Sequence, residues 1–346
     1  MTKKDNLTIL DIAKLANVST ATVSRVLSGK DKVSEDTKRH VMNIVHQYGY
    51  DVKKRSLLSD QESKTVLVCV TELKNPFNVP IFDGIQNSAK KHGYDVLILQ
   101  TKDMYTKFTD YESVLMSQKF AGVIFVSTLS TKEFIEITNQ LHYRCPIVCC
   151  SEYLEDCDVS YVGINDIEAM QKATSYLLSV GRQDIMFINS KPVHNYARKR
   201  ERGFRQAMSD AGVIVNENMV VRLSSVTHSL AYSAALNFLS QEERPNAILC
   251  VSDVYAIAAL KACQKLGLRV PEDCAIVGFD GIELTTMVSP SLTTIEQPSY
   301  QLGYQSFELL IEKIQYPSTP TKKIILETEF IVRGSTPINI FKGGFK

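Results

Sequence analysis

The stretch Ile9–Gly29, which reads ILDIAKLANVSTATVSRVLSG, predicts two short helices joined by a tight turn. Asn17 lies between them, and Asn tolerates the left-handed backbone conformation that such a turn requires. Ser19 is placed to cap the second helix, which Gly29 would end. A third helix is predicted to begin at Ser34, so this part of the chain has the pattern of a helix-turn-helix unit.

The second helix has two unlike faces. Val23, Val26 and Leu27 recur at helical spacing and predict its buried side. The opposite side carries small side chains, which let a helix approach bases in the major groove, and Arg25, which can make a bidentate contact with guanine. An ordinary helical hairpin with a polar face would show the same pattern. The residues predicted to contact DNA from the head are Arg25, Thr20 and Ala21 at base edges, Thr22 and Ser24 at phosphates, and the two capping residues Thr8 and Ser19.

Basic residues are concentrated at the amino end of the chain. Residues 1–60 contain eleven Lys or Arg against seven Asp or Glu, whereas the whole chain of 346 residues has 39 against 38 and a net charge of +1. Such an excess favours a polyanionic partner such as double-stranded DNA, although a solvated basic tail would give the same balance. The charge distribution therefore agrees with a DNA-binding head without establishing one.

Two segments of the head resemble a known family. Val18–Gly29, VSTATVSRVLSG, followed by Val33–Val41, VSEDTKRHV, resembles the amino-terminal signature of the LacI/GalR (lactose-repressor/galactose-repressor) family of bacterial regulators. The resemblance runs through Tyr50 and continues to about Thr336, although the family usually has Gly where this chain has Asn17. It implies a cytoplasmic transcriptional repressor that binds a pseudo-palindromic operator. Because one small head makes few contacts, at least a homodimer is expected, with a tetramer as the alternative.

A polar segment without alternating apolar residues, Gly49–Thr65, follows the head. It predicts a DNA-binding head at residues 1–50, a hinge at 51–64 and a core at 65–340. Relatives often have a hinge helix here, whose Leu inserts into the minor groove and bends the DNA. This chain has Asp51–Lys53 where they have Pro-Asn, so a hinge helix and a flexible tether both stay open. For a hinge that contacts DNA, the predicted residues are Leu57 or Leu58 as the wedge, and Lys53, Lys54 and Arg55 at phosphates.

From Thr65 onward, apolar runs of strand length alternate with amphipathic stretches. Runs such as KTVLVCV, AGVIFVS and CAIVGF are continuous, which is typical of parallel strands covered on both faces by helices. The elements are too many for one sheet of ordinary width and predict an α/β core with two lobes, each a doubly wound parallel sheet. The family resemblance implies the same core, similar to periplasmic sugar-binding proteins. The predicted bounds are about 65–160 and 292–323 for the first lobe, and about 163–290 and 324–340 for the second.

Polar residues that follow the predicted strands are the candidates for a ligand site, because strand carboxyl ends face the cleft between two such lobes. Asp280 can accept hydrogen bonds from two neighbouring hydroxyls, and Arg200 can donate to their oxygens. The resemblance implies effector-binding roles for both, and for Ser252, where some relatives have Asn. A sugar or nucleoside effector is expected, although Val226 stands where many relatives have an aromatic residue that stacks on the effector. The candidate effector-binding residues are Phe77, Asn78, Asn165, Arg200, Ser252 and Asp280, with plain packing as the alternative for Phe77 and helix capping for Asp280.

Other classes of function lack their sequence signals. The chain contains no GxGxxG, GxxxxGK[ST], GxSxG or HExxH motif, so a nucleotide-dependent enzyme, a hydrolase or a metalloprotease is not indicated. Its eight Cys include no CxxC pair, which argues against a zinc ribbon and favours reduced thiols in the cytoplasm. No cofactor, metal site or membrane segment is predicted, and the opening residues do not read as a signal peptide, which disfavours a transport-type binding protein. A regulator that answers to a partner protein, or to no effector, is the alternative.

Overall fold

The computed structural model describes residues 9–27, 33–47, 63–101, 119–126, 145–153 and 158–338. The chain splits into two compact units, residues 1–63 and 64–346. The predicted hinge at 51–64 lies outside the described residues, apart from Ser63 and Lys64. Among the helices of the described ranges, none is long and apolar enough to cross a membrane.

The described part of the first unit contains the helices α1 (Ile9–Leu15), α2 (Thr20–Leu27) and α3 (Glu35–Gln47), which confirms the predicted helix-turn-helix arrangement. Asn17 has a φ of +51°, as the tight turn between α1 and α2 requires. Ser19 caps α2, because its Oγ accepts a hydrogen bond from Thr22 N at 3.1 Å. Ser34 caps α3 in the same way, with Thr37 N donating at 3.4 Å. The buried side chains that hold the helices together are Ile12, Ala13, Ala16, Val23, Val26, Val41, Ile44 and Val45.

The first lobe of the core is built on a parallel sheet. Its strands within the described residues are β1 (Thr65–Val70), β2 (Asp95–Gln100), β3 (Gly122–Phe125), β4 (Ile147–Ser151), β5 (Ser160–Ile164) and β11 (Lys323–Leu326), in the spatial order β11-β5-β4-β3-β1-β2. The strands β3 and β5 are buried at every position, which explains why their sequences do not alternate. Helices α4 (Asn78–His92) and α10 (Ser299–Gln315) pack against each other, and α10 covers β3, β4 and β5.

The second lobe is built on a sheet of the same kind. Its strands are β6 (Ile185–Ser190), β7 (Val220–Leu223), β8 (Ala247–Cys250), β9 (Ala275–Asp280), β10 (Thr293–Glu296) and β12 (Glu329–Ile331), in the order β12-β10-β9-β8-β6-β7. The strand β12 pairs antiparallel with β10, and the other pairs are parallel. The α-helices between β5 and β10 are α5 (Asp166–Ser179), α6 (Asn195–Asp210), α7 (His228–Leu239), α8 (Asp253–Lys265) and α9 (Leu284–Met287). The predicted class, an α/β core with two sheets dominated by parallel strands, is confirmed.

The chain crosses between the lobes at positions that differ from the predicted ones. The pattern assigns 292–323 to the first lobe, but β10 pairs with β9 in the second sheet, where Thr294 lies opposite Gly278. Conversely, β11 pairs with β5 in the first sheet, although the pattern assigns 324–326 to the second lobe. These bounds are wrong because an apolar run indicates a strand but does not indicate the strand it pairs with.

Two glycines let helices α4 and α10 approach closely. A Cβ on Gly84 would lie 2.2 Å from the carbonyl oxygen of Tyr300, and one on Gly303 would lie 2.0 Å from that of Ile81. Both distances are far shorter than any carbon–oxygen contact in a packed core. The two helices come from segments that are distant in sequence, so this contact fastens the late part of the chain to the first lobe.

Gly84→Ala is expected to destabilise the core by about 1–3 kcal/mol, because the added methyl group overpacks a contact between two helix backbones. Lys90→Ala is the matched control, since it changes an exposed position of the same helix and should stay within about 0.5 kcal/mol of the wild type. Urea unfolding of both variants measures the difference. Equal free energies of unfolding for the two variants would contradict the close packing at Gly84.

Candidate functional site

The outer face of α2 is directed away from the interior of the head. Val23 and Val26 on this helix are 0% and 6% exposed, whereas Thr20 and Arg25 are exposed. The apolar side of the helix therefore seats it on α1 and α3. The opposite side, which includes Thr20 and Arg25, lies at the surface of the head.

The other residues predicted to contact DNA fall into three groups. Ser19 and Thr22 lie at the start of α2, where their hydroxyl oxygens are 2.8 Å apart. Ala21 and Ser24 belong to α2, and their side chains are outside the described atoms. The residues that lie wholly outside the described ranges are Thr8, Lys53, Lys54, Arg55, Leu57 and Leu58.

A cavity of about 290 Å³ lies between the two lobes of the core. It is lined by residues at the carboxyl ends of β1, β3 and β4 from the first lobe, and of β6, β7, β8 and β9 from the second. This is the position at which open α/β sheets usually bind ligands. The candidate effector-binding residues that line it are Phe77, Asn78, Arg200, Ser252 and Asp280.

Asp280 ends β9 on the wall of this cavity. Its φ of +119° is a value that residues other than Gly rarely adopt. Its Oδ2 accepts a hydrogen bond from Ser252 Oγ at 3.0 Å, and its Oδ1 accepts one from Gln297 Nε2 at 2.9 Å. Arg200 Nη1 lies 3.6 Å from the same Oδ1. Burial disfavours the charged carboxylate more than Arg200 favours it, so the pKa of Asp280 is raised to about 6.

Arg200 is held in place on several sides. Its Nε donates to Asp166 Oδ1 at 2.8 Å, and its Nη1 donates to the carbonyl oxygen of Val251 at 2.7 Å. Its Cζ lies 3.6 Å from the ring centre of Phe279, and the side chain is 5% exposed. A guanidinium with these partners has a fixed position and a compensated charge, so it can donate to a ligand without reorganising.

Asn165 is not among the residues that line this cavity, and an effector contact for it stays a prediction. It is exposed and caps α5, since its Oδ1 accepts a hydrogen bond from Glu168 N at 3.3 Å. The next residue, Asp166, is buried and binds Arg200 instead. Both residues follow the end of β5, but helix capping turns the side chain of Asn165 back to its own helix.

Phe77 and Asn78 lie where α4 begins, and both line the cavity while serving the fold. Asn78 is 4% exposed, and its Nδ2 donates to the carbonyl oxygen of Glu72 at 2.8 Å. Phe77 is 8% exposed and packs into the main hydrophobic core. Each residue therefore shapes the wall of the cavity, and Asn78 also holds the loop that follows β1.

Asp253 lies behind the cavity wall and fixes the turn that positions Asp280. Its carboxylate accepts hydrogen bonds from Gly281 N at 2.7 Å and Ile282 N at 2.9 Å. Thr294 Oγ1 donates to it as well, at 2.6 Å. Complete burial raises the pKa of Asp253 well above its usual range, and the nearby charge of Asp280 acts in the same direction.

A row of hydroxyl groups in the second lobe is not among the predicted site residues. Tyr196 Oη donates to Ser190 Oγ at 2.9 Å, and that Oγ lies 3.1 Å from Tyr255 Oη. Tyr255 Oη in turn donates to the carbonyl oxygen of Ser225 at 3.0 Å. Ser190 is the last residue of β6, so the strand-end rule that selected Asp280 would have selected it too.

Two hydrogen bonds that join the lobes also involve residues that were not predicted. Glu152 is buried after β4 in the first lobe, and its Oε1 accepts a hydrogen bond from Tyr196 N at 3.3 Å. The carbonyl oxygen of Tyr153 accepts one from Asn195 Nδ2 at 2.6 Å. Asn195 and Tyr196 begin α6, the helix that carries Arg200. One wall of the cavity therefore contains direct polar contacts between the two lobes.

Known families match both parts of the chain. Residues 8–52 match the family described as bacterial regulatory proteins, lacI family, and residues 174–336 match the periplasmic binding protein-like domain. A helix-turn-helix head followed by a core of this kind defines a class of bacterial transcriptional regulators.

Individual relatives agree over nearly the whole chain. The HTH-type transcriptional repressor PurR of Vibrio campbellii is 32% identical over 330 residues, which are 95% of this chain and 98% of the relative. The HTH-type transcriptional repressor CytR of Escherichia coli is 32% identical over 331 residues, covering 95% and 96%. Among solved structures, the complex of the transcriptional regulator CelR with cellobiose has a TM-score of 0.73 at 27% identity, covering 95% of this chain and 99% of that one. The chain therefore belongs to the LacI family, and it is a DNA-binding transcriptional regulator and not an enzyme.

The stability of the core should depend on the ionisation of Asp280. Its folded-state pKa of about 6 lies above the ordinary value of 3.8, so between these values the folded protein binds more protons than the unfolded chain. The resulting stabilisation is complete below the ordinary value and is lost as the pH rises through about 6. Asp280→Asn stays neutral and lacks this dependence. As the pH rises from about 5 to about 7.5, we expect the free energy of unfolding of the variant to increase relative to that of the wild type. Urea unfolding at both pH values measures this change.

A difference in unfolding free energy between Asp280→Asn and wild type that is the same at both pH values would contradict the raised pKa. Groups remote from the cavity titrate in both proteins and cancel in the comparison.

Proposed function

We propose that this chain represses transcription by binding a pseudo-palindromic operator through two heads, and that a sugar or nucleoside in the cleft controls this binding. The observation that carries the effector proposal is the buried pair of Arg200 and Asp280 on the wall of a cavity between two lobes. Relatives that are transcriptional repressors, and a regulator solved with cellobiose, support it. A function on DNA supports a location in the bacterial cytoplasm.

The head would read DNA with the outer face of α2. Arg25 is exposed on this face and can donate two hydrogen bonds to guanine in the major groove. Thr20 and Ala21, which precede it on the helix, are short enough to let the backbone approach base edges. The residues proposed for phosphate contacts are Ser19, Thr22 and Ser24, with Thr8 at the cap of α1 and Lys53, Lys54 and Arg55 in the hinge. Insertion of Leu57 or Leu58 into the minor groove is proposed from the family resemblance alone.

Two heads are needed because one head offers few base contacts. Joining two heads in a homodimer makes the second contact intramolecular and raises the effective affinity without any new interaction. Two-fold symmetry of the protein then requires an operator with two inverted half-sites.

Sedimentation of the full chain on a duplex selected for binding should give two chains per duplex, or four for a tetramer. One chain per duplex would contradict the proposal.

The cleft suits a ligand that carries neighbouring hydroxyl groups. The carboxylate of Asp280 already accepts from Ser252 and Gln297, one bond on each oxygen, and about two lone-pair sites remain. Two adjacent hydroxyls of a sugar ring match these sites. Arg200 beside it and the hydroxyl of Ser190 supply a donor and a further polar contact on the same wall. A ribose or pyranose ring meets these requirements, whether free or in a nucleoside.

Ligand binding would control the heads through the arrangement of the lobes. A ligand that contacts both lobes favours the arrangement in which both sets of contacts form. If the two heads have the operator spacing in only one arrangement, ligand and DNA change each other's affinity by the same factor. Couplings of this kind are typically about 1–3 kcal/mol. The ligand releases the protein from DNA if the heads have the operator spacing only without ligand. It retains the protein on DNA if they have that spacing only with ligand bound.

Arg25→Ala is expected to lower the preference for the selected operator over random duplex by about 10- to 100-fold, because a bidentate guanine contact is worth about 1–3 kcal/mol. Arg39→Ala is the matched control, since it removes the same charge from an exposed position on α3. Gel shifts on both duplexes give the ratio of affinities for each variant. An unchanged ratio for Arg25→Ala, with the fold confirmed by circular dichroism, would show that α2 does not read the bases through this residue.

The effector site is tested with ribose, cellobiose, adenosine and cytidine in a thermal-shift screen, since a ligand that binds the folded core raises its melting temperature. Asp280→Asn should weaken binding of any compound that stabilises the wild type by at least about tenfold, because it removes charge-assisted hydrogen bonds. Asp210→Asn, at the exposed end of α6, is the matched control and should bind normally. A wild-type melting temperature that none of the four compounds changes would contradict all four as effectors, and normal binding by Asp280→Asn would remove Asp280 from the site.

A further inference from the structure

Two stacked tyrosines belong to the first lobe. The ring centre of Tyr153, which follows β4, lies 3.6 Å from that of Tyr161 on β5, and the two ring planes are 6° apart. Tyr161 is 6% exposed, so the first sheet holds its ring in place. Stacking on this fixed ring gives Tyr153 a defined orientation.

A lysine of the second lobe lies on this stack. Lys199 is on α6, and its Nζ is 3.6 Å from the ring centre of Tyr153. An ammonium group over the face of an aromatic ring is attracted by the ring quadrupole, and the attraction is stronger where water is excluded. Water is largely excluded here, because Lys199 is only 9% exposed. Since the ring and the cation belong to different lobes, their attraction exists only while the lobes keep the observed arrangement.

A second lysine contacts the stack without joining the lobes. Lys323 lies opposite Tyr161 in the pairing of β11 with β5, and its Nζ is 5.9 Å from the ring centre of Tyr161. Both residues are part of the first sheet, so a separation of the lobes leaves their contact unchanged. Lys323 therefore offers a matched control, because it places the same charge near the same pair of rings within one lobe.

We propose that Lys199 and the stack of Tyr153 and Tyr161 form a cation–π latch that holds the two lobes in the observed arrangement. These three residues are not among those that line the effector cavity, but Arg200, the next residue on α6, is. The latch and an effector therefore act on the same helix. The latch biases the equilibrium between lobe arrangements before any ligand binds, and the effector adds its own contacts to that equilibrium. This inference rests on the proposed function, because it concerns the regulation of the same cleft.

The backbone amide of Tyr196 reports separation of the lobes. Tyr196 is the second residue of α6, and the first amides of a helix have no partner within it. Its N–H donates instead to Oε1 of Glu152 in the first lobe, at 3.3 Å. Separation of the lobes breaks this bond and exposes the N–H to solvent. Hydrogen exchange of the full chain, resolved to single residues by fragmentation in the mass spectrometer, thus measures the latch without DNA or ligand.

Tyr153→Leu removes the ring of the latch, and Lys199→Gln removes its charge. Each variant is expected to accelerate exchange at Tyr196 by about tenfold or more, because a desolvated cation–π contact is lost. Tyr153→Phe keeps the ring and Lys323→Gln leaves the latch intact, so both should stay within about threefold of the wild type. Tyr153→Leu combined with Lys199→Gln should exchange no faster than the faster single variant, since both remove one contact.

Wild-type exchange at Tyr196 in both folded single variants would overturn the latch, and so would an equal acceleration by Lys323→Gln. A general loss of stability would also accelerate exchange at Leu249, which lies inside the second sheet on β8, whereas release of the latch leaves that amide protected. Melting temperatures confirm folding, and Lys199→Gln serves if Tyr153→Leu does not fold. Failure of the wild type to bind any selected operator duplex would instead refute the proposed function without changing the exchange result, so the two failures are distinguishable.

Discussion

The chemistry of the cleft depends on one buried positive charge. A guanidinium removed from water is tolerated only where carboxylates and carbonyl groups surround it. The partners of Arg200 come from three different elements: Asp166 at the start of α5, Val251 after β8, and Asp280 at the end of β9. These bonds draw the three segments to one point. They also leave Asp280 with a charge state that is balanced between the attraction of Arg200 and the cost of burial.

The helix that carries this charge also touches the first lobe. Asn195 and Tyr196, in the first turn of α6, bind Tyr153 and Glu152 across the cleft, and Arg200 follows one turn later. A ligand that contacts Arg200 therefore acts on the same rigid element that joins the lobes. This arrangement gives a physical connection between occupancy of the cleft and the relative position of the lobes, without any element that has to unfold.

The sequence predicts the head in most of its detail because the signals there are local. Ser19 and Ser34 act within their own helices, and the spacing of Val23 and Val26 suffices to orient α2. The position of Asp280 at the edge of the sheet is also predicted, because a parallel sheet places the carboxyl ends of all its strands on one edge. These inferences need no knowledge of distant contacts.

The features that the sequence does not predict depend on long-range pairing or on a choice between neighbours. The strand β10 joins the second sheet because it fits beside β9, and nothing in LTTIEQ states that register. Asn165 and Asp166 are both polar and both follow β5, and only the capping geometry separates their roles. Gln297 follows β10, and it reaches Asp280 because β10 lies beside β9. A wrong strand pairing therefore also fails to predict this hydrogen bond.

The packing of α10 on α4 has a consequence for synthesis of the protein. The first lobe takes β1 to β5 from the beginning of the core, but its helix α10 and its edge strand β11 come from near the carboxyl end. On the ribosome, Gly84 faces no partner helix and β5 has no outer neighbour until translation has passed residue 326. The DNA-binding head can therefore fold on the nascent chain before the first lobe of the core is complete. A chain that ends before α10 would contain the complete head and an incomplete first lobe.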